Sequence, residues 1–174
     1  LEEWKKLFNA VKDEGMLTMC TPFDNESVPV ISKMGFDIIK VASCSAKDWP
    51  LLEDISQSNI PIIASTGGLK IEEIDNIVSF FDHRGNDFAL MHCVSIYPIP
   101  TKDFQLNFID FLIERYKGHT IGWSTHENQD ETAPVQIAMA KGAKMFERHV
   151  GYKTNEINLN LYSSTPEQLD VWFG

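Results

Sequence analysis

The chain has 174 residues, 43% of them apolar and 23% charged, which leaves room for about one domain with its own core. Its 25 acidic and 15 basic residues give a net charge of −10, which argues against nucleic acid or an anionic membrane as partner but leaves an anionic metabolite open. No apolar run approaches the roughly 20 residues of a membrane span and no signal peptide opens the chain, so a cytoplasmic location is expected.

In chain order, Leu1, Trp4, Leu7, Phe8 and Val11 stand at helical spacing, and Gly15 is a helix stop. Residues 16–20 read as a strand broken by Thr21-Pro22-Phe23-Asp24. A helix around 26–34 ends at Gly35, and 36–42 is a strand. A helix around 50–58 leads to strand 61–65, and a helix around 71–82 leads to strand 88–93. A helix around 104–116 precedes strand 120–124, and a helix around 131–141 ends at Gly142 before strand 144–148. The odd set Cys20, Cys44 and Cys93 lies in or just after strand-like runs and reads as free buried thiols, without zinc-site spacing.

Strands alternating with helices imply a parallel sheet with right-handed crossovers. No glycine-rich dinucleotide fingerprint follows the first strand, and polar residues close every strand. That pattern suits a (β/α)8 barrel, which draws its site from all of its βα loops, better than an open sheet with one switch point. A barrel needs eight strands and six are legible. The expectation is one partial barrel domain over 1–174, a fragment whose uncovered sheet edges are a liability in isolation.

His126 and His149 each follow a short apolar strand, with a helix between them. Two imidazoles at adjacent strand ends could hold one divalent metal; the alternative is two unrelated loop residues. Lys40 sits inside an apolar strand, and a buried ammonium needs an anion such as phosphate or carboxylate. Ser65-Thr66-Gly67-Gly68 reads either as a phosphate turn at a helix N-terminus or as a capped turn. Ser43, Ser95 and Ser124 also sit at strand ends, and Tyr97 opens a proline-rich loop as a pocket wall or a packing residue. His92 reads as a core histidine, His83 and His119 as solvated connections, and Glu72-Glu73 as a solvated face.

Several of these segments together resemble the sialic acid synthase family, the phosphoenolpyruvate-dependent synthases of nonulosonic acids. They are 20–24 (CTPFD), 39–43 (IKVAS), 63–68 (IASTGG), 92–100 (HCVSIYPIP), 122–126 (GWSTH) and 142–149 (GAKMFERH). The resemblance implies strands three to eight of a (β/α)8 barrel. It implies a first pair of strands and a C-terminal antifreeze-like domain elsewhere, and a homodimer for the full-length protein. Those other parts would supply a glutamate, a lysine and an arginine, so the isolated chain is expected to be inactive.

By the same resemblance, His126 and His149 are metal ligands, for manganese first, with magnesium or cobalt as alternatives. Thr21, Lys40, Ser43, Ser65 and Ser124 fall on positions that bind phosphoenolpyruvate, and Ser95 on a further contact that is often asparagine. Tyr97 falls near the acceptor sugar. The match weakens after His149, where Asn160 stands about where an aspartate is expected. The implied activity joins phosphoenolpyruvate to an N-acetylmannosamine-like sugar and releases phosphate. Acceptors for legionaminic, pseudaminic or spore-coat sugar acids fit as well, and a non-catalytic barrel module is the reading from another class.

Overall fold

A computed structural model describes residues 1–174, which divide into two compact units: Leu1–Ser65 with Leu69–Phe88, and Thr66–Gly68 with Ala89–Gly174. The first holds α1 (Glu2–Asp13), β1 (Met19–Cys20), α2 (Ser27–Met34), β2 (Ile38–Val41), α3 (Trp49–Gln57), β3 (Ile62–Ser65) and α4 (Ile71–Arg84). The second holds β4 (Phe88–Cys93, all but its first residue), α5 (Asn107–Arg115), β5 (Thr120–Thr125), α6 (Ala133–Ala140), β6 (Met145–Arg148) and α7 (Pro166–Phe173). The strands follow one another in chain order, β1-β2-β3-β4-β5-β6, and the pairs run parallel. Six strands alternating with helices in this order form part of a (β/α)8-type barrel, as the sequence pattern predicts.

In the first unit the side-chain period of two sorts the faces. Ile39 pairs with Ile62 and Val41 with Ala64, and all four are buried, as are Leu51, Leu52 and Ile55 of α3 and Ile74, Ile77 and Phe81 of α4. Lys40, Ile63 and Ser65 take the other face. In the second unit Leu90, His92, Ile121 and Trp123 are buried with Ile109 and Leu112 of α5. The His92 Nε2–H donates to the Phe104 carbonyl at 3.1 Å, and its ring packs on Trp123 and Phe108. Burial holds His92 below the usual histidine range, so it is the core histidine that the sequence predicts.

Several expectations need correction. The strand expected over 16–20 is confined to Met19–Cys20, and residues 16 and 17 are exposed. No residue of α1 is buried: its helical stripe meets the rest of the unit through Phe8 on Phe36 and Lys12 on Asp37. His83 lies on α4 rather than in a connection, with Nδ1 against the Ser79 carbonyl. Glu73 is more than a solvated face, because it accepts the Lys70 N–H and the Lys47 ammonium. All three cysteines are free, but only Cys93 is buried and Cys44 is exposed. The chain also folds a helix the pattern reading did not assign, α7, whose start is marked by Thr165 and Gln168 in a reciprocal cap with Pro166 at the first turn.

Asp37 ties α1 to the start of β1. Both of its oxygens accept from Lys12, at 2.7 and 2.6 Å, and it also accepts the Thr18 N–H and hydroxyl. The Lys12 hydrogen bond first, then the two from Thr18, lower its carboxyl to about 2 from an ordinary 3.8. A depressed carboxylate adds stability that is present above its unfolded value and is lost as pH falls through the folded one. The thermal midpoint of the chain should therefore drop between pH 4 and pH 2, and the drop should be smaller in D37N. Equal acid sensitivity of the two proteins, followed by circular dichroism, would remove Asp37 from this role.

Gly122 on β5 has no room for a side chain: a Cβ there would meet the Met145 carbonyl oxygen at 2.7 Å and also collide with the Met91 sulfur. One of these is backbone of β6 and cannot yield cheaply. G122A should cost about 1–3 kcal/mol in urea unfolding, the range for overpacking a tight interior.

Candidate functional site

In the second unit β5 and β6 carry the site by alternation. Ser124 pairs with Glu147, and Thr125 with Arg148. Ser124 and Glu147 share one face, where the Ser124 hydroxyl donates to Glu147 Oε1 at 3.2 Å. Thr125 and Arg148 share the other. One residue past each strand the period continues, and the rings of His126 and His149 meet with centroids 5.3 Å apart. On the opposite side Arg148 donates to Glu127 Oε1 at 2.6 Å, with the two side chains 2% and 0% exposed.

His126 is buried and His149 exposed. His126 Nδ1 lies 3.1 Å from the Val94 carbonyl, and a carbonyl can only accept. The proton therefore sits on Nδ1, which leaves Nε2 with its lone pair, the tautomer a metal-binding imidazole needs. The His126 carbonyl in turn accepts the Ile99 N–H at 3.0 Å, so both sides of this residue hold the loop that carries Tyr97. Tyr97 packs against His126 with ring centroids 4.0 Å apart and the planes tilted by 43°, and Tyr162 stands edge-on to His149 at 5.2 Å and to Tyr97 at 5.2 Å. Two tyrosines thus wall the two imidazoles.

No group of three His, Cys, Asp or Glu side chains is gathered in the chain. Two imidazole side chains, that of His126 with Nδ1 committed to the Val94 carbonyl, are a donor set that fits a divalent cation, with its remaining positions left to water or to substrate oxygens. Ser95 and Asn160 are exposed, and Asn160 Oδ1 accepts the Tyr162 N–H at 3.2 Å. Asn160 therefore shapes the turn that presents Tyr162.

In the first unit Lys40 is 6% exposed and Ser65 3%, both on the face opposite Ile39 and Val41. Thr21 follows β1, and Ser43 opens a single 3-10 turn after β2; both are half-buried. The Ser65 hydroxyl is buried with no hydrogen-bond partner. A buried ammonium and an unsatisfied hydroxyl on one face suit an anion. The helix N-terminus does not contribute as expected. Helix α4 begins only at Ile71, with Glu72 and Glu73 in its first turn, so carboxylates already meet the positive end of its dipole. The Thr66 hydroxyl donates to the Met91 carbonyl at 3.0 Å.

Residue-by-residue reading missed Glu127, Arg148, Glu147 and Tyr162. The signal was present for the first three: charges beside both histidines, two of them inside an otherwise apolar strand. Burial pushes the Glu127 carboxyl up, against the pull of Arg148, and pushes the Arg148 guanidinium down. Nothing local marks Tyr162, which reaches the histidines only by chain return.

The model of the NeuB family matches residues 1–170. An N-acetylneuraminate-9-phosphate synthase of Drosophila melanogaster is 36% identical over 127 residues, covering 72% of this chain and 34% of that one. A solved structure from Chromobacterium violaceum, assigned as spore coat polysaccharide biosynthesis protein E, superposes with a TM-score of 0.96 at 48% identity, covering 99% of this chain and 51% of that one. An N-acetylneuraminic acid synthetase from Leptospira borgpetersenii, solved with citrate, gives 0.91 at 31%, covering 98% and 59%. The chain spans between about a third and three fifths of the length of these relatives.

The close packing of Tyr97 on His126 has a direct readout. The ring-current shift of the His126 imidazole protons should disappear in Y97L and persist in Y97F, measured by proton–carbon NMR. The same shift in wild type and Y97L would mean that the two rings do not pack together in solution.

Proposed function

Since the chain belongs to the NeuB family, whose relatives include sialic acid synthases, we propose that the protein containing it condenses phosphoenolpyruvate with an N-acetylated amino sugar. The observation that carries this reading is the His126–His149 pair, 5.3 Å apart, with the His126 tautomer set by Val94. A divalent cation, manganese first, held by His126 and His149 would polarise the acceptor carbonyl.

The phosphate and carboxylate of phosphoenolpyruvate are assigned, within the first unit, to Lys40, Thr21, Ser43 and Ser65. Lys40 offsets their charge, and the hydroxyls hold them in one orientation. Ser124 has the weaker claim, because its hydroxyl donates to Glu147 and a carboxylate repels an anion. Carbon 3 of phosphoenolpyruvate forms the new bond to the acceptor carbonyl carbon, whose oxygen takes a proton and becomes a hydroxyl. Water adds at carbon 2, and phosphate departs with the former bridging oxygen. Tyr97 and Tyr162 shield the histidine pair and border the acceptor. An N-acetylmannosamine-like sugar is the first acceptor to test, and the similarity to proteins named for spore-coat polysaccharide and legionaminic acid supports their sugars as alternatives.

Phosphate release from phosphoenolpyruvate by the whole protein, with manganese and a panel of N-acetylated hexosamines, tests the reading. Release should depend on one sugar and stop with chelator. H149A should lower turnover at least a hundredfold while leaving the thermal midpoint within a few degrees. Unchanged turnover in H149A would remove the histidine pair from the chemistry.

A further inference from the structure

The histidines face one way from the ends of β5 and β6, and their sequence neighbours face the other. Glu127 follows His126, and Arg148 precedes His149. These neighbours are paired at 2.6 Å and are almost wholly removed from solvent. Each partner is one peptide unit from an imidazole-bearing residue, so the pair is a cross-brace between the two histidine backbones.

Arg148 extends the brace. Its Nε donates to the Ser164 hydroxyl at 2.6 Å and a terminal nitrogen to the Asn128 carbonyl at 3.2 Å. The Ser164 N–H donates to the His149 carbonyl at 2.9 Å, and the Gly151 N–H to the Ser164 carbonyl at 3.0 Å. One guanidinium therefore fixes the chain after His126 and, through Ser164, the chain on both sides of His149. The face of the Trp172 ring lies 5.8 Å away and helps cover it.

We propose that the Glu127–Arg148 ion pair is a positioning device that sets the separation of His126 and His149 from the far side of the strands. A buried ion pair is a poor stabiliser compared with apolar side chains of similar volume, so its presence here fits a geometric task. For metal binding the inference rests on the function proposed above; for ring geometry it stands without it. Groups that hold a ligating ring directly typically change metal affinity by about 10- to 100-fold, and the brace acts on the same ligands through their backbone.

The test uses E127L/R148M, which removes both charges together and leaves no uncompensated one, and R148K, which keeps the charge but loses the planar fork. Three quantities are measured: the thermal midpoint, affinity for Mn2+ alone by electron paramagnetic resonance, and metal-free nuclear Overhauser contacts among His126, His149 and Tyr162. The expected result is a folded double variant with Mn2+ affinity reduced tenfold or more and weakened ring contacts, and an intermediate R148K. Wild-type contacts and affinity in a folded double variant would overturn the proposal. If the double variant does not fold, R148K decides by the same criterion. If wild type takes up no Mn2+, the metal reading fails separately, and the ring contacts alone decide: lost contacts uphold the brace, retained contacts reject it.

Discussion

The geometry of the site depends on the two-residue period of β5 and β6. In a strand, neighbouring side chains must point to opposite faces, and parallel pairing places equivalent positions side by side. With Ser124 beside Glu147 and Thr125 beside Arg148, the next step brings two imidazoles together on one side and an acid and a base on the other. A slip of one residue in β5 alone would turn His126 to the far side and bring Glu127 to the face of His149, separating both pairs. Gly122 secures the register at the start of the strand, because only a residue without Cβ lets β5 lie against Met91 and the Met145 carbonyl.

The two faces carry different physics. The histidine face is polar, partly open and walled by tyrosines, which suits neutral nitrogen donors with one proton already committed to a carbonyl. The far face is closed by Trp172, Ser164 and the Glu127–Arg148 pair. Arg148 is held there by three hydrogen bonds, to Glu127, Ser164 and the Asn128 carbonyl, whereas Glu127 accepts one, from Arg148, and its second oxygen is buried without a partner. The ion pair beside the histidines is read from this chain's own contacts.

In the first unit the same period separates an apolar face, Ile39, Val41, Ile62 and Ala64, from one bearing Lys40 and Ser65. The Ser65 hydroxyl is buried without a partner on the face that also bears Lys40, a combination that suits an anion. The acidic first turn of α4 shows the limit of motif reading. A glycine-rich turn between strand and helix suggests a phosphate cradle, yet the helix begins only at Ile71 and its first turn carries Glu72 and Glu73, the latter capping the Lys70 N–H.

Much of this was legible in the sequence. Strand–helix alternation, glycine stops after helices and the types of residue closing each strand are local properties, set by backbone sterics and hydrophobic period. They were enough to recognise a barrel of parallel strands and to single out His126, His149 and Lys40. The tertiary structure decided what depends on contacts distant in the chain. No residue of helix α1 is buried, Tyr162 returns to the histidines across a loop, and the Ser124 hydroxyl donates a hydrogen bond to Glu147. Above all, only packing could show that Glu127 and Arg148, 21 positions apart, are partners. A charge in a sequence carries no record of its counter-charge, because pairing is decided by register and burial rather than by neighbours along the chain.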